Sequence, residues 1–158
     1  MINIFIEVSL DSKLKYEFCH KTDQLILDRI LHNTNTFPYN YGFIPNTLSP
    51  DGDPLDAIVI CNHSLQPGCI INCKILGGIE TVDEKGQDDK IILIPSDNID
   101  PYSKGVDNIE DIDNKILGNI KYFLNHYKDN EEGKYIIVKE LYNKTEALKR
   151  IKKYTLND

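Results

Sequence analysis

Apolar and polar residues alternate along the first stretch of the chain. Ile2, Ile4, Ile6 and Val8 fall on one face at a period of two, which predicts a strand over residues 2–9. The alternation returns at residues 14–19. Further short apolar runs, many of them β-branched, lie between Pro, Gly, Asp and Asn residues at 24–28, 57–60, 70–75, 91–94 and 135–138. The first two-thirds of the chain is therefore predicted to be rich in strands.

The apolar spacing changes to a helical period in the last third. A single apolar stripe predicts an amphipathic helix from Ile109 to Tyr127. Its members are Ile109, Ile112, Ile116, Leu117, Ile120, Phe123 and Leu124. A shorter helix is predicted over residues 144–154, with Asn143 as its cap. Short strands followed by helices favour an α+β fold, a small closed barrel with helices packed outside it.

Length and composition are those of one folded domain. The chain has 158 residues, 41% hydrophobic and 27% charged, which is ordinary for a globular domain. No linker, repeat or low-complexity tract divides it. We therefore expect a single domain over residues 1–158.

The charge balance excludes several classes of partner. Twenty-five acidic and eighteen basic side chains give a net charge of −7, which repels nucleic acid and anionic membranes. No apolar run approaches about 18 residues, and no basic segment precedes the first strand, so a cytoplasmic protein is expected. A polyanionic substrate would need metal cations as intermediaries.

An acidic turn precedes the predicted strand at 57–60. Asp51, Asp53 and Asp56 place three carboxylates in six residues, with Gly52 and Pro54 favouring a turn. Carboxylates this close repel one another unless a cation lies between them, and their oxygens suit Mg²⁺ or Mn²⁺. A solvated acidic turn is the competing interpretation. The sequence does not match an EF-hand loop, whose Gly at position six and Glu at position twelve are absent.

A second acidic segment, residues 83–90, lies between two apolar runs and contains Asp83, Glu84, Asp88 and Asp89. Taken alone it fits an exposed hairpin turn. Two acidic segments at strand ends of one small barrel favour a shared multi-metal site, to which Glu17 could add a carboxylate. An anion-binding set would have to face these metals, with candidates Lys15, Arg29, Tyr41, Lys90, Tyr127 and Lys128. A lysine at a helix end is also an ordinary dipole complement.

Several separated motifs resemble those of the family I soluble inorganic pyrophosphatases, of bacterial type. The acidic turn, residues 51–56, and the segment Asn40 to Leu48 look like the family's signature region. Other segments resemble family motifs in the same order: Phe5-Ile6-Glu7, Lys15-Tyr16-Glu17, Asp28-Arg29, residues 83–90 and His126-Tyr127-Lys128-Asp129. The resemblance implies a five-stranded OB-like barrel with two flanking helices.

The resemblance also implies roles in a Mg²⁺-dependent diphosphatase, with Mn²⁺ or Zn²⁺ as possible substitutes. Asp53 would be the general base, accepting a proton from a water held by metals. The metal ligands would be Asp51, Asp56, Asp83, Asp88 and Glu17. The diphosphate oxygens would be held by Lys15, Arg29, Tyr41, Tyr127 and Lys128. Glu7, Glu84 and Lys90 are expected in or beside the site.

Two departures from the family pattern bear on rate and assembly. Phe37 precedes Pro38 where relatives commonly have Tyr, so one hydroxyl near the site is missing and a tuned rate is expected. Bacterial members of similar length form homohexamers with histidines on the long helix. His126 is retained here, but Tyr122 lies where a second His is common, and the chain begins close to its first strand. We expect a homohexamer.

Two other functions compete with this interpretation. An OB-like barrel could be a nucleic-acid or oligosaccharide binding module, but that would call for a basic groove with stacking aromatics. A relative that binds metal without catalysis is the second. The retained Asp53 argues against it, because an Asn between two carboxylates would relieve their repulsion.

Overall fold

The computed structural model describes residues 1–157, and within them the chain forms eight strands and two α-helices. The strands are β1 (Ile2–Val8), β2 (Leu14–Cys19), β3 (Gln24–Ile30), β4 (Asn40–Phe43), β5 (Asp56–Val59), β6 (Ile70–Asp83), β7 (Gly86–Pro95) and β8 (Ile136–Asn143). The helices are α1 (Asn114–His126) and α2 (Lys144–Tyr154). Two 3₁₀ turns, Pro101–Ser103 and Ile109–Asp111, precede α1.

Five of these strands close into a barrel. Strand β1 pairs with β4, β4 with β5, β5 with β7, β7 with β6, and β6 returns to β1. Only the β5–β7 pair in this ring is parallel. Strand β8 extends the sheet by pairing with residues 77–83 of β6, and β2 and β3 form a separate hairpin. The closed five-stranded barrel with two helices outside it confirms the predicted α+β fold.

Each face of the barrel sheet buries its own apolar cluster. Alternate residues of β5 divide between the two clusters, with Ile58 in one and Ala57 and Val59 in the other. The first cluster joins the sheet to α1, and the second joins it to Ala147 and Ile151 of α2. Burial on both faces explains why this strand is a continuous apolar run.

The predicted helix from Ile109 to Tyr127 is shorter in the structure. Ile109–Asp111 is a separate 3₁₀ turn, and the α-helix begins only after Asp113, whose side chain accepts a hydrogen bond from the Lys115 amide at 2.7 Å. The Asp111 carboxylate caps the start of this 3₁₀ turn by accepting from the amides of residues 107 and 108, and the extended backbone at Ile112 ends the turn. Ile109 and Ile112 are still buried, so the apolar stripe continues across the break. Because the stripe is continuous, the sequence predicted one helix where the structure has a 3₁₀ turn and a separate α-helix.

Strand β4 has no counterpart among the predicted strands. Its sequence, Asn40-Tyr41-Gly42-Phe43, lacks a β-branched run, so propensity gave no signal. Tertiary contact decides the conformation, because a Cβ on Gly42 would lie 1.8 Å from the Phe5 carbonyl oxygen. Glycine lets β4 approach β1 closely and carries Tyr41 into the barrel wall.

Candidate active site

The acidic turn before β5 is held by its own backbone. Asp51 Oδ1 accepts a hydrogen bond from the Asp53 amide at 3.0 Å, and the Ser49 amide donates to the Asp53 carbonyl at 2.7 Å. Gly52 has φ of +91°, a conformation that side chains disfavour. The turn projects Asp51 and Asp53 from the barrel rim, while Asp56 begins β5.

The second acidic segment is a strand hairpin and not a loop. Strand β6 runs to Asp83 and β7 begins at Gly86, so only two residues lie between the strands. Asp83 and Asp88 therefore stand on paired strands, and both are buried. Because β5 pairs with β7 with Asp56 opposite Lys90, the same end of the barrel gathers both acidic segments.

The β2–β3 hairpin supplies the facing wall. Glu7 of β1 accepts a hydrogen bond from the Phe18 amide at 2.7 Å through Oε2, which ties the hairpin to the barrel. Lys15 of β2 lies opposite Arg29 of β3 in the hairpin register. Glu17 follows on the same face of β2 as Lys15, since alternate residues of a strand share a face.

One cleft of about 300 Å³ collects every residue predicted for the site. It is lined by all fourteen: Glu7, Lys15, Glu17, Arg29, Tyr41, Asp51, Asp53, Asp56, Asp83, Glu84, Asp88, Lys90, Tyr127 and Lys128. The individual roles remain predictions. Nine acidic and six cationic side chains line the cleft in all, so carboxylates are in excess.

Lys90 forms the centre of the acidic side. Its ammonium donates to Asp56 Oδ2 at 2.9 Å, to Asp88 Oδ2 at 3.0 Å and to the Tyr41 hydroxyl at 3.0 Å. Burial alone would lower the pKa of Lys90, but the two carboxylates raise it well above its ordinary value. Burial, with Asp56 close by, raises the pKa of Asp88 to about 6.

Three further cations of the cleft are each positioned by a neighbouring carboxylate. Arg29 forms an ion pair with Glu131, and Lys15 lies 3.8 Å from Asp28. Lys128, just after α1, lies 3.4 Å from Glu84 and 3.6 Å from Asp83. These contacts connect the hairpin, the β6–β7 turn and the end of α1 around one space.

Two tyrosines complete the wall, Tyr41 partly buried and Tyr127 buried. Burial raises the pKa of Tyr41 well above its ordinary value and that of Tyr127 to about 12. Both hydroxyls therefore keep their protons at neutral pH and can donate hydrogen bonds to an anion.

Sequence reasoning assigned no site role to several residues of the cleft. They are Tyr16, Phe18, His20, Asp28, Phe43, Pro54, Lys85 and Lys134. Glu131 was also missed, although it pairs with both Arg29 and Lys134. Spacing carries no information about these partners, because Glu131 and Arg29 meet only through the fold. Only Asp28 could have been found from the local sequence, because it is adjacent to the predicted site residue Arg29.

The comparisons with known proteins decide the family. The model of the inorganic pyrophosphatase family matches residues 4–157. The inorganic pyrophosphatase of Nanoarchaeum equitans is 46% identical over 148 residues, 94% of this chain and 91% of that protein. That of Helicobacter pylori is 40% identical over 150 residues, 95% of this chain and 87% of that protein. This chain belongs to the inorganic pyrophosphatase family.

Solved structures of pyrophosphatases agree in fold over nearly the whole chain. The Helicobacter pylori enzyme superimposes with a TM-score of 0.95 at 39% identity, covering 97% of this chain and 90% of that one. The Thermus thermophilus enzyme gives 0.91 at 33% identity, covering 95% and 86%. The resemblance drawn from the motifs is thereby confirmed.

Inorganic pyrophosphatases are metal-dependent, and the donors of the cleft fit hard divalent cations. Carboxylate oxygens dominate the lining and outnumber the cationic groups, as Mg²⁺ or Mn²⁺ would require. Among residues 1–157, no three His, Cys, Asp or Glu side chains already converge on a single metal position. Asp56 and Asp88 point instead at the Lys90 ammonium.

No helix in the described part of the chain is long and apolar enough to cross a membrane.

Proposed function

We propose that this protein hydrolyses inorganic diphosphate to two orthophosphates by direct attack of water, with Mg²⁺ as its principal cation. The observation that carries the proposal is the cleft, which brings an excess of carboxylates together with cationic and phenolic donors. Carboxylates suit the cations that a diphosphate carries, and lysine, arginine and tyrosine suit its oxygens. The family membership supports the same reaction.

Asp51, Asp56, Asp83, Asp88 and Glu17 would hold the cations. All five line the cleft and contribute oxygen only, which favours Mg²⁺ and Mn²⁺ over Zn²⁺, whose sites usually include nitrogen or sulfur ligands. Bound there, divalent cations neutralise the diphosphate oxygens and lower the pKa of the attacking water.

Asp53 would accept the proton of the attacking water. It lies on the tight turn beside Asp51, exposed to the cleft, and among residues 1–157 it has no salt-bridge partner within 4 Å. A carboxylate held by its backbone and free of a competing cation is suited to receive a proton. Its neighbours Asp51 and Asp56 would be engaged with cations.

Lys15, Arg29, Tyr41, Tyr127 and Lys128 would hold the phosphate oxygens. Each cation is already paired with a carboxylate, which fixes its direction while leaving further N–H donors for the substrate. The two tyrosines add neutral donors. Charge that grows on the leaving phosphate would be stabilised by this set.

The competing functions fit the cleft less well. A nucleic-acid binding barrel requires a basic groove with stacking aromatics, whereas carboxylates outnumber cations here. An inactive metal-binding relative would have no use for Asp53 at the rim between two metal-binding carboxylates.

Assembly, location and the effect of Phe37 stay predictions. Tyr122 is exposed on α1, with its ring 4.3 Å from that of His126, so it is available for a subunit interface on this helix; the homohexamer is proposed from the family resemblance. Sedimentation of the purified protein would test the assembly, and cell fractionation would test the cytoplasmic location.

Phosphate release from diphosphate tests the proposed function directly. The purified protein is assayed with Mg²⁺, with Mg²⁺ chelated, and with a phosphomonoester in place of diphosphate. We expect fast, Mg²⁺-dependent release from diphosphate and little from the monoester. No release with Mg²⁺, Mn²⁺ or Zn²⁺ would overturn the proposal and leave the fold without this activity.

A further inference from the structure

The position of Lys90 is fixed by the barrel and not by its own flexibility. Only 2% of its side chain is exposed. The parallel register of β5 and β7 sets it opposite Asp56, and Asp88 lies two residues earlier on the same face of β7. The backbone therefore holds one ammonium between two carboxylates.

Lys90 occupies one oxygen of each of two carboxylates that are proposed metal ligands. It contacts Oδ2 of Asp56 and Oδ2 of Asp88 at 2.9 and 3.0 Å. Mg²⁺ binds carboxylate oxygens at about 2.0 to 2.1 Å. A divalent cation and an ammonium sharing these two oxygens would repel each other at close range. A cation that binds both Oδ2 atoms must therefore displace the Lys90 ammonium from them.

The Lys90 ammonium keeps contacts with Tyr41 when a metal ion binds the two carboxylates. The Tyr41 hydroxyl accepts from Lys90 at 3.0 Å, and the ammonium lies 5.2 Å from the centre of the Tyr41 ring. These contacts use no carboxylate oxygen. They can keep the ammonium buried after it gives up Asp56 and Asp88.

We propose that Lys90 is a built-in counter-ion, which holds the Asp56 and Asp88 carboxylates together in the metal-free protein and competes with divalent cations for their oxygens. The inference rests on the proposed function in one respect, that Asp56 and Asp88 are metal ligands. Lys90 thereby stabilises the metal-free protein and weakens metal binding at the same time.

Metal binding measured without turnover tests the inference. Mg²⁺ affinity is measured by isothermal titration calorimetry, and melting temperature is measured in chelator, for the wild type and for Lys90→Met. We expect Lys90→Met to bind Mg²⁺ tighter by about tenfold or more and to melt at a lower temperature in chelator. Added Mg²⁺ should restore more of its melting temperature than in the wild type.

Lys85→Met is the matched control. Lys85 is exposed, lines the same cleft and carries the same charge, but among the described residues it forms no salt bridge to Asp56 or Asp88. Its loss should change Mg²⁺ affinity by less than about threefold, because solvent screens exposed charges. Equal effects of the two substitutions would overturn the inference in favour of a general charge effect.

Two failures can be told apart. Equal or weaker Mg²⁺ binding by Lys90→Met, with a wild type that binds Mg²⁺ and hydrolyses diphosphate, would overturn the inference alone. A wild type that binds no divalent cation and hydrolyses no diphosphate would overturn the proposed function and this inference together.

A measurement on the wild type covers the case in which Lys90→Met does not fold. The Nζ signal of Lys90 is followed by nuclear magnetic resonance in ¹⁵N-lysine protein, assigned by its loss in the charge-retaining Lys90→Arg. Saturating Mg²⁺ should shift it strongly and leave the Lys85 signal in place. An unchanged Lys90 signal would overturn the inference.

Discussion

Asp88 and Asp89 are neighbours on β7, are both buried, and serve opposite faces of one strand. Asp88 faces the cleft and meets Lys90 at 3.0 Å. Asp89 faces α2 and meets Arg150 at 2.6 Å. Two similar ion pairs, one residue apart, therefore lie on opposite sides of β7, one in the cleft and one against α2.

The pair on the α2 side is closed. Arg150 also donates to Glu80 at 2.9 Å and to Glu146 at 3.0 Å, and its guanidinium lies 4.1 Å from the centre of the Tyr142 ring. The Tyr142 hydroxyl donates to Asp89 at 3.2 Å. Every charged group here has a fixed partner, so the network fastens α2 to the barrel.

The pair on the cleft side is open. One ammonium serves both Asp56 and Asp88, and further carboxylates line the space beyond it. A surplus of carboxylates at a cleft invites cations from solution, whereas a saturated network does not. Both regions hold more carboxylates than cations. What separates them is pairing: Arg150 reaches all three carboxylates of the α2 network, whereas Asp51 and Asp53 of the cleft have no salt-bridge partner among residues 1–157.

The largest expected effect comes from Asp53→Asn on the open side. Loss of the general base should lower turnover by about 10²- to 10⁴-fold. Folding should be little changed, since Asp53 is exposed and outside the salt bridges of residues 1–157. Steady-state phosphate release and thermal melting measure the two effects. A fully active variant would remove Asp53 from the mechanism.

Asp89→Asn should show the reverse behaviour. Removing one partner of a buried pair leaves Arg150 with Glu80 and Glu146 alone, and we expect a loss of about 3 kcal/mol in the free energy of unfolding, at the lower end for such pairs. Turnover per folded molecule should stay within about threefold of the wild type, because Asp89 does not line the cleft in the described chain. Urea unfolding and phosphate release measure both.

Glu146→Gln is the control for that substitution. Glu146 also pairs with Arg150, but its side chain is 39% exposed, so its loss should cost no more than about 0.5 kcal/mol. Equal losses for Asp89→Asn and Glu146→Gln would mean that the α2 network is an ordinary surface cluster.

The comparison also explains what the sequence could and could not predict. The residues of the open side are recognisable because their motifs are local, such as three aspartates within six residues. The helix over 144–154 is predicted to the residue, because the Asn143 side chain caps it by accepting a hydrogen bond from the Glu146 amide. Its closed network was not predicted, because Asp89 and Arg150 are 61 residues apart.

The misses in the fold have the same cause. Strand β4 depends on the close approach of Gly42 to Phe5, and the break before α1 depends on the extended backbone at Ile112 and the cap at Asp113. Periodicity reports which face is buried. It does not report which distant residue packs or pairs against that face, so the ion pair between Glu131 and Arg29 could not be predicted either.

Glu7 makes the stability of the open side depend on pH. Burial, with Asp56 and Glu17 nearby, raises the pKa of Glu7 from about 4.5 to about 8, with the hydrogen bond from the Phe18 amide and the Lys15 ammonium acting in the opposite direction. Between these values the folded protein holds a proton that the unfolded chain does not. Metal-free stability should therefore fall as pH rises through this window.

Glu7→Gln should remove that dependence while its amide oxygen still accepts from Phe18. In chelator we expect it to exceed the wild type by about 2 to 4 kcal/mol in the free energy of unfolding at pH 8, and to match it near pH 4.5. Urea unfolding across the range measures the difference. A constant difference at all pH values would refute a titrating Glu7.

Glu84→Gln is the control of opposite sign. Burial would raise the pKa of Glu84, but backbone hydrogen bonds and the Lys128 ammonium outweigh it and lower the pKa. Its carboxylate therefore stabilises the fold above the ordinary pKa, and this contribution is lost as pH falls. Glu84→Gln should be less stable than the wild type at neutral pH, and the difference should vanish in acid.

Among the changes at the cleft, the smallest effect on turnover is expected at Phe37, where the cleft meets the core on the α1 side. Its ring is 2% exposed and lies 4.7 Å from that of Phe123, behind Tyr41 and Tyr127 at 5.8 and 6.3 Å. Phe37→Tyr should change turnover by less than about threefold. The buried hydroxyl should cost about 1 to 3 kcal/mol if it finds no partner. Turnover raised more than tenfold, at unchanged stability, would mean that this hydroxyl reaches the substrate and that Phe37 tunes the rate directly.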